Sequence, residues 1–166
     1  MDKVIDCFKG KYEFLSNFYY ENQTDRLGRV WASNEHFFQA CKTNDPKWQE
    51  YIWLSSYASL AKKRGREAPC RKDWNEIKDN VMLSGLRMKF GQNFMIRVQL
   101  METNGITLIE GNNWGDTYWG VCRGVGQNKL GILLMQVRSE LIELTKTLTP
   151  PSKEYYDRPV LGFGAY

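Results

Sequence analysis

Glu35, Gln39 and Lys42 fall at i, i+4 and i+7 in the run Asn34-Glu35-His36-Phe37-Phe38-Gln39-Ala40-Cys41-Lys42, so a helix there presents a carboxylate, an amide and an ammonium on one face. Phe37, Ala40 and Cys41 fall on the other. A polar face of this kind is ordinarily solvated, but Phe38 shares it, which argues that the face is partly covered. His36, at the boundary, reads as a hydrogen-bonded structural residue rather than a catalyst. A second candidate is the stretch from Gly105 to Gly131, which carries seven of the 14 glycines together with Trp114, Asp116, Trp119 and Asn128. Long ordered loops are usually functional. Glycine lets a backbone approach a ligand closely, and an indole offers a face for a base or sugar. The third is Lys62-Lys63-Arg64-Gly65-Arg66 followed by Arg71-Lys72, read as a pocket for one or two phosphates rather than a track for a long polyanion. Together the three segments point to a phosphate-bearing ligand with a ring to stack.

The rest of the composition narrows the chemistry. The 166 residues suit one domain, and 42% hydrophobic with 14% aromatic residues is enough to build a core. A net charge of +4 is mild for a protein that coats DNA. Cys7, Cys41, Cys70 and Cys122 form no Cys-x-x-Cys pair, so neither a disulfide framework nor a zinc site is expected. A single histidine argues against Ser-His-Asp, Cys-His and multi-histidine metal chemistry. We expect no metal and no cofactor. The amino-terminal run has acidic residues and no apolar stretch of signal-peptide or membrane-spanning kind, which leads to the expectation of a cytoplasmic protein with no membrane partner.

Several elements must position these residues. Val4 to Phe8 and the region of Val30-Trp31 read as strands of one small sheet flanking the polar loop Glu21 to Gly28. Ser33 is a helix N-cap for residues 34 to 43, and Asp45-Pro46 starts a helix through Trp53. Ser56 is expected to cap a helix ending at Gly65, and Asp73 with Glu76 resembles a capping box for a long helix to Gly91. A helix over 94–102, a strand over 106–109 and a final helix over 129–144, with Leu130, Leu133, Leu134, Val137 and Leu141 inward, complete the pattern. Beyond Pro150-Pro151 an extended tail is expected. This predicts an α+β class, a mainly helical single domain with a small β-sheet.

The blocks Phe14-Leu15-Ser16-Asn17-Phe18, Ser33 to Lys42, Ala61 to Arg66, Arg71-Lys72-Asp73-Trp74 leading to Val81-Met82, Lys89-Phe90, Asp116-Thr117-Tyr118-Trp119-Gly120 and Gly126 to Gly131 through Arg138 occur in an order that resembles the NADAR domain (YbiA-like) family of N-glycosidases. The resemblance covers about residues 5 to 144, leaving 145–166 as a carboxy-terminal extension without a counterpart. It implies cleavage of the N-glycosidic bond of a ribosyl compound. Two substrate classes follow: a phosphorylated ribosylamino-pyrimidine of riboflavin synthesis, or ADP-ribose linked to guanine in nucleic acid, the latter with a transient nucleic-acid contact. A noncatalytic module that binds ADP-ribose or a related nucleotide is the alternative.

Carried onto matching positions, the resemblance implies Glu35, Asp116 and Trp74 as catalytic residues. Asn17, Phe18, Gln39, Lys42, Lys62, Arg66, Trp119, Gly120 and Asn128 become substrate-binding neighbours. Breaking a ribosyl C–N bond develops positive charge at the anomeric carbon, so negative charge must face the sugar and a proton must reach the base. Glu35 is expected to stabilise that carbon or activate water, Asp116 to orient ribose hydroxyls or share the proton transfers, and Trp74 to stack on the base or wall the pocket. Asn34, where relatives often carry a hydroxyl or small apolar residue, bears on substrate choice.

Overall fold

The computed structural model describes residues 3–147. Six helices carry most of it: α1 (Asn34–Ala40), α2 (Pro46–Trp53), α3 (Ala58–Glu67), α4 (Trp74–Gln92), α5 (Phe94–Glu102) and α6 (Lys129–Lys146). Six two-residue strands form three separate pairs. β1 (Val4–Ile5) lies parallel to β4 (Thr107–Leu108), β2 (Gln23–Thr24) antiparallel to β3 (Val30–Trp31), and β5 (Gly111–Asn112) parallel to β6 (Val121–Cys122). The single sheet expected from the first 31 residues therefore does not form. Only β2 and β3 pair locally, and the first strand finds its partner about a hundred residues later.

Helix α1 sits at the centre, packed against α2, α3 and α4, while α4, α5 and α6 pack on one another. Every residue from Asn34 to Ala40 is buried. Seven residues are too few for a helix to stand alone, so tertiary burial holds this one. Phe37 meets Trp31 edge-on at 5.7 Å, and Phe90 of α4 meets Phe14 at 6.5 Å. Each such buried aromatic or aliphatic side chain contributes about 1.5–3 kcal/mol.

The polar residues of α1 are paired rather than solvated. Asn34 Nδ2 donates to Asn17 Oδ1 at 2.8 Å, and Gln23 Nε2 donates to Asn34 Oδ1 at 3.2 Å. Asn34 is thus a structural bracket inside the core. His36, fully buried, places Nε2 3.1 Å from Ser55 O and Nδ1 2.7 Å from Ser33 Oγ. A carbonyl accepts only, so Nε2 carries the proton and Nδ1 accepts from the serine. Burial lowers the imidazole pKa from its ordinary value. His36 is structural.

Helix boundaries follow local chemistry. Ser33 accepts from His36 N–H, and Asp45 accepts from Lys47 N–H with Pro46 in the first turn. α1 stops at Ala40 rather than residue 43 because Lys42 and Thr43 N–H groups bond three residues back, and Arg71 N–H takes the Lys42 carbonyl at 2.8 Å. Ser56 does not cap α3; Tyr57 occupies that position without a side-chain bond, and the helix runs on to Glu67. The capping box at Asp73 also fails. The Asp73 carboxylate is held by the Arg71 guanidinium at 2.6 and 2.9 Å, so it caps nothing. α5 keeps its expected bounds, and α6 extends two residues further to Lys146. The extended tail from residue 148 onward lies outside the described residues. No helix among the described residues is long and apolar enough to cross a membrane.

Candidate functional site

Four segments enclose most of a cleft of about 1500 Å³. Its floor is α1, its basic wall is α3, and its opposite wall is the loop from Glu110 to Trp119, with Asn17 to Tyr20 along one side. Glu35, Asp116, Asn17, Phe18, Gln39, Lys42, Lys62, Arg66 and Trp119 all line it. Glu35 on an early helix and Asp116 in a late loop thus open into the same space.

Glu35 is 5% exposed. Its N–H donates to Asn17 O at 3.0 Å, which fixes the start of the helix, and Gln39 Nε2 donates to its Oε1 at 2.7 Å. Burial raises the Glu35 pKa from its ordinary value, offset in part by the Gln39 amide and by the charges of Lys62, Lys42 and Arg66. Burial in turn lowers the Lys42 pKa, with Glu35 the main opposing influence. Gln39 reaches Glu35 because Gly65 faces it. A Cβ at Gly65 would run into the Gln39 amide oxygen and lie 2.8 Å from its Cβ.

The basic cluster divides by helical angle. Lys62, Lys63 and Arg66 face the cleft, with the Lys62 ammonium 5.4 Å from the centre of the Phe18 ring. Arg64, two residues from Arg66 and so about 200° around α3, turns away. It donates to Tyr51 O at 2.6 Å and stacks on the Tyr51 ring at 3.7 Å. Arg71 and Lys72 border a separate shallow hollow with Thr43, Asp45 and Cys70, and so do not join the phosphate wall. Arg71 is occupied by Asp73.

Asp116 is set by a tight turn. Its Oδ1 accepts from Tyr118 N at 3.1 Å and Trp119 N at 2.9 Å, and its backbone exchanges two bonds with the Asn112 side chain at 2.7 and 3.0 Å. Tyr118 ties the turn to α4 by donating to Asp79 Oδ1 at 2.6 Å, while Lys129 pairs with Asp79 Oδ2 at 3.0 Å. Trp119 presents its ring to Phe38 edge-on at 5.4 Å.

Three expected residues do not line the cleft. Trp74 packs on Phe38 at 5.0 Å, so Phe38 carries the contact with the cavity and Trp74 braces it from behind. Asn128 donates to Leu108 O at 2.9 Å and accepts from Glu110 N at 3.0 Å, which clamps the loop to β4. Gly120 is a close-approach position: a Cβ there would collide with the Glu110 carbonyl. Each of the three contacts a residue that does line the cleft.

Sequence reasoning missed Glu110. It lines the cleft just after β4, and burial together with the charge of Asp116 pushes its pKa up to about 7. The only signal was its place at the junction between a strand and the glycine-rich loop. Among the described residues, no group of three or more His, Cys, Asp or Glu is arranged to hold a metal ion.

A buried carboxyl with cations around it and aromatics crossed edge to face beside it fits a ligand with a sugar, a phosphate and a planar base. The NADAR domain model matches residues 7–142. N-glycosidase YbiA of Escherichia coli (strain K12) is 40% identical over 117 residues, covering 69% of this chain and 72% of that protein. A riboflavin biosynthesis protein of Vibrio vulnificus (strain YJ016) is 39% identical over 133 residues, 78% of this chain but 36% of that protein. The NMR structure of the E. coli protein YbiA superposes with a TM-score of 0.79 at 35% identity, covering 92% of this chain and 91% of that one. The chain therefore belongs to the NADAR domain family.

Proposed function

We propose that the chain is an N-glycosidase that hydrolyses the C–N bond of a phosphorylated ribosyl compound. The observation that carries this reading is Glu35, a buried carboxyl on the cleft floor with Lys42, Lys62 and Arg66 close enough to act on its charge. Lys62, Lys63 and Arg66 bind the phosphate through charge-assisted hydrogen bonds. Glu35 faces the anomeric carbon, where its negative charge stabilises an oxocarbenium-like transition state or activates water. One oxygen of Asp116 is engaged by two backbone N–H groups, and the other orients the ribose hydroxyls. Phe38 and Trp119, crossed edge to face, supply the surface against which the base rests.

Two substrates are in scope: a ribosylamino-pyrimidine phosphate, and ADP-ribose on guanine. The names of the YbiA and riboflavin biosynthesis relatives support the N-glycosyl bond and the first of these. The test is incubation with both classes, with products read by mass spectrometry, beside Glu35→Gln. The expected result is release by the native protein of free base from the first class or of free ADP-ribose from the second, and a loss of about 10³-fold in the variant. Full activity in Glu35→Gln would remove the assignment, and tight binding with no product would favour a noncatalytic nucleotide-binding module.

A further inference from the structure

Glu110 is fixed at its base and unpaired at its tip. Its N–H donates to Asn128 Oδ1 at 3.0 Å, and its carbonyl accepts from Val121 N at 2.8 Å. Gly120 packs against it so closely that a Cβ there would lie 3.0 Å from Glu110 Cγ. The side chain lines the cleft, yet its Oε2 is buried without a hydrogen-bond partner among the described residues. A buried carboxyl oxygen left unpaired is costly, and the cost is least when the group carries a proton.

Of the five carboxyls that line the cleft, Glu13 and Glu67 are exposed, and Glu35, Glu110 and Asp116 differ in what surrounds them. Asp116 accepts two backbone N–H groups, and Glu35 accepts the Gln39 amide amid three cations. Both are furnished as acceptors. No N–H group reaches the buried oxygen of Glu110, and the charged groups that act on it are Asp116 in its own loop, Glu35 on α1 and Lys62 on α3. Two of these three are like charges, which again favour a neutral carboxyl.

Resting on the N-glycosidase reading, we propose that Glu110 is the general acid of the reaction, donating the proton that the departing base takes up. As the C–N bond breaks, its electron pair goes to the base nitrogen, which receives the Glu110 proton and leaves Glu110 as carboxylate. Water adds to the anomeric carbon and loses its proton to Glu35. That proton returns to Glu110 through solvent, so the net change is one water consumed and one free base and one hydroxylated sugar formed. With its pKa near 7, Glu110 retains its proton through much of the neutral range, as a general acid must.

The experiment compares Glu110→Gln and Glu110→Asp with the native chain on two ribosyl 5′-phosphates. One carries an amino-linked pyrimidine, which must be protonated to leave. The other carries a pyridinium base, which departs neutral and needs no proton. Glu110→Gln should lose about 10²-fold or more in kcat/KM on the first and less than about threefold on the second, and the basic limb near pH 7 should vanish from the first profile. Glu110→Asp, which keeps an acid, should recover part of the lost rate. An equal loss on both substrates, or no loss on either, would overturn the assignment while leaving the N-glycosidase reading intact. A native chain that cleaves neither substrate would overturn both.

Discussion

Gly65→Ala is the perturbation that separates a built catalytic site from a coincidental one. Alanine is favoured over glycine in a helix interior by about 1 kcal/mol, so the substitution in isolation should stabilise α3. The added Cβ would instead run into Gln39, lying 2.8 Å from its Cβ and 3.0 Å from its Cδ. Gln39 Cβ cannot swing aside without moving α1, and overpacking of this kind costs about 1–3 kcal/mol. The net expectation is a loss of about 0–2 kcal/mol in stability.

The larger effect should fall on chemistry. Displacing Gln39 breaks its 2.7 Å bond to Glu35 Oε1, a bond to a charged acceptor that is worth about 1.5–3 kcal/mol. Expressed in the transition state, that is about 10- to 100-fold in kcat. The assay is a double-mutant cycle of Gly65→Ala and Gln39→Ala, read by thermal unfolding and by turnover. In the Gln39→Ala background the clash with the amide oxygen and Cδ is gone while the 2.8 Å Cβ contact remains, so the Gly65 change should cost less stability than in the native chain and should leave turnover unaltered. A Gly65→Ala protein with raised Tm and unimpaired kcat would refute the packing argument and the role given to Gln39.

Lys89 is fully buried, donates to Ser16 O at 2.7 Å beneath the side of the cleft, and burial lowers its pKa from 10.5 to about 7. Between those values the unfolded chain holds a proton that the folded chain has released, so stability from this group rises with pH above 7, by at most about 5 kcal/mol. Lys89→Met should abolish that rise; a difference in Tm from the native chain that stays constant between pH 6 and pH 9 would contradict it. Asp79→Ala removes the acceptor for Tyr118 and the partner of Lys129, so the turn bearing Asp116 and Trp119 should loosen. A stability loss of about 1–2 kcal/mol and a KM raised more than kcat is lowered are expected, checked by denaturant unfolding and steady-state kinetics.

What was legible in the sequence was local. Ser33 and Asp45-Pro46 mark helix starts because a cap and its partner lie within three residues. Glu35 and Gln39 reach one cleft because helical spacing puts them on one face, and Lys42 joins them from the turn just past the end of α1. What was not legible depended on distant partners. The burial of α1 on all sides rests on Asn17, Gln23, Ser55 and Met82, which take up its polar groups from other segments. Two-residue strands offer no alternation to read, so β1 could not be matched with β4. Asp73 looked like a cap until the Arg71 guanidinium claimed it. That Glu110 lines the cleft and Trp74 does not was hidden for the same reason: which of two side chains reaches a cavity is decided by what packs behind it.

The parallel pairing of Val4–Ile5 with Thr107–Leu108 sets an order of events during synthesis. The carbonyls of Lys3 and Ile5 wait for the amides of Thr107 and Ile109, and α1 can be encased while that edge is still open. A ribosome-bound chain ending before Thr107 would therefore carry the acidic floor and the basic wall of the cleft without its opposite wall. The cleft is enclosed only when the glycine-rich loop has left the exit tunnel and joined a half already in place.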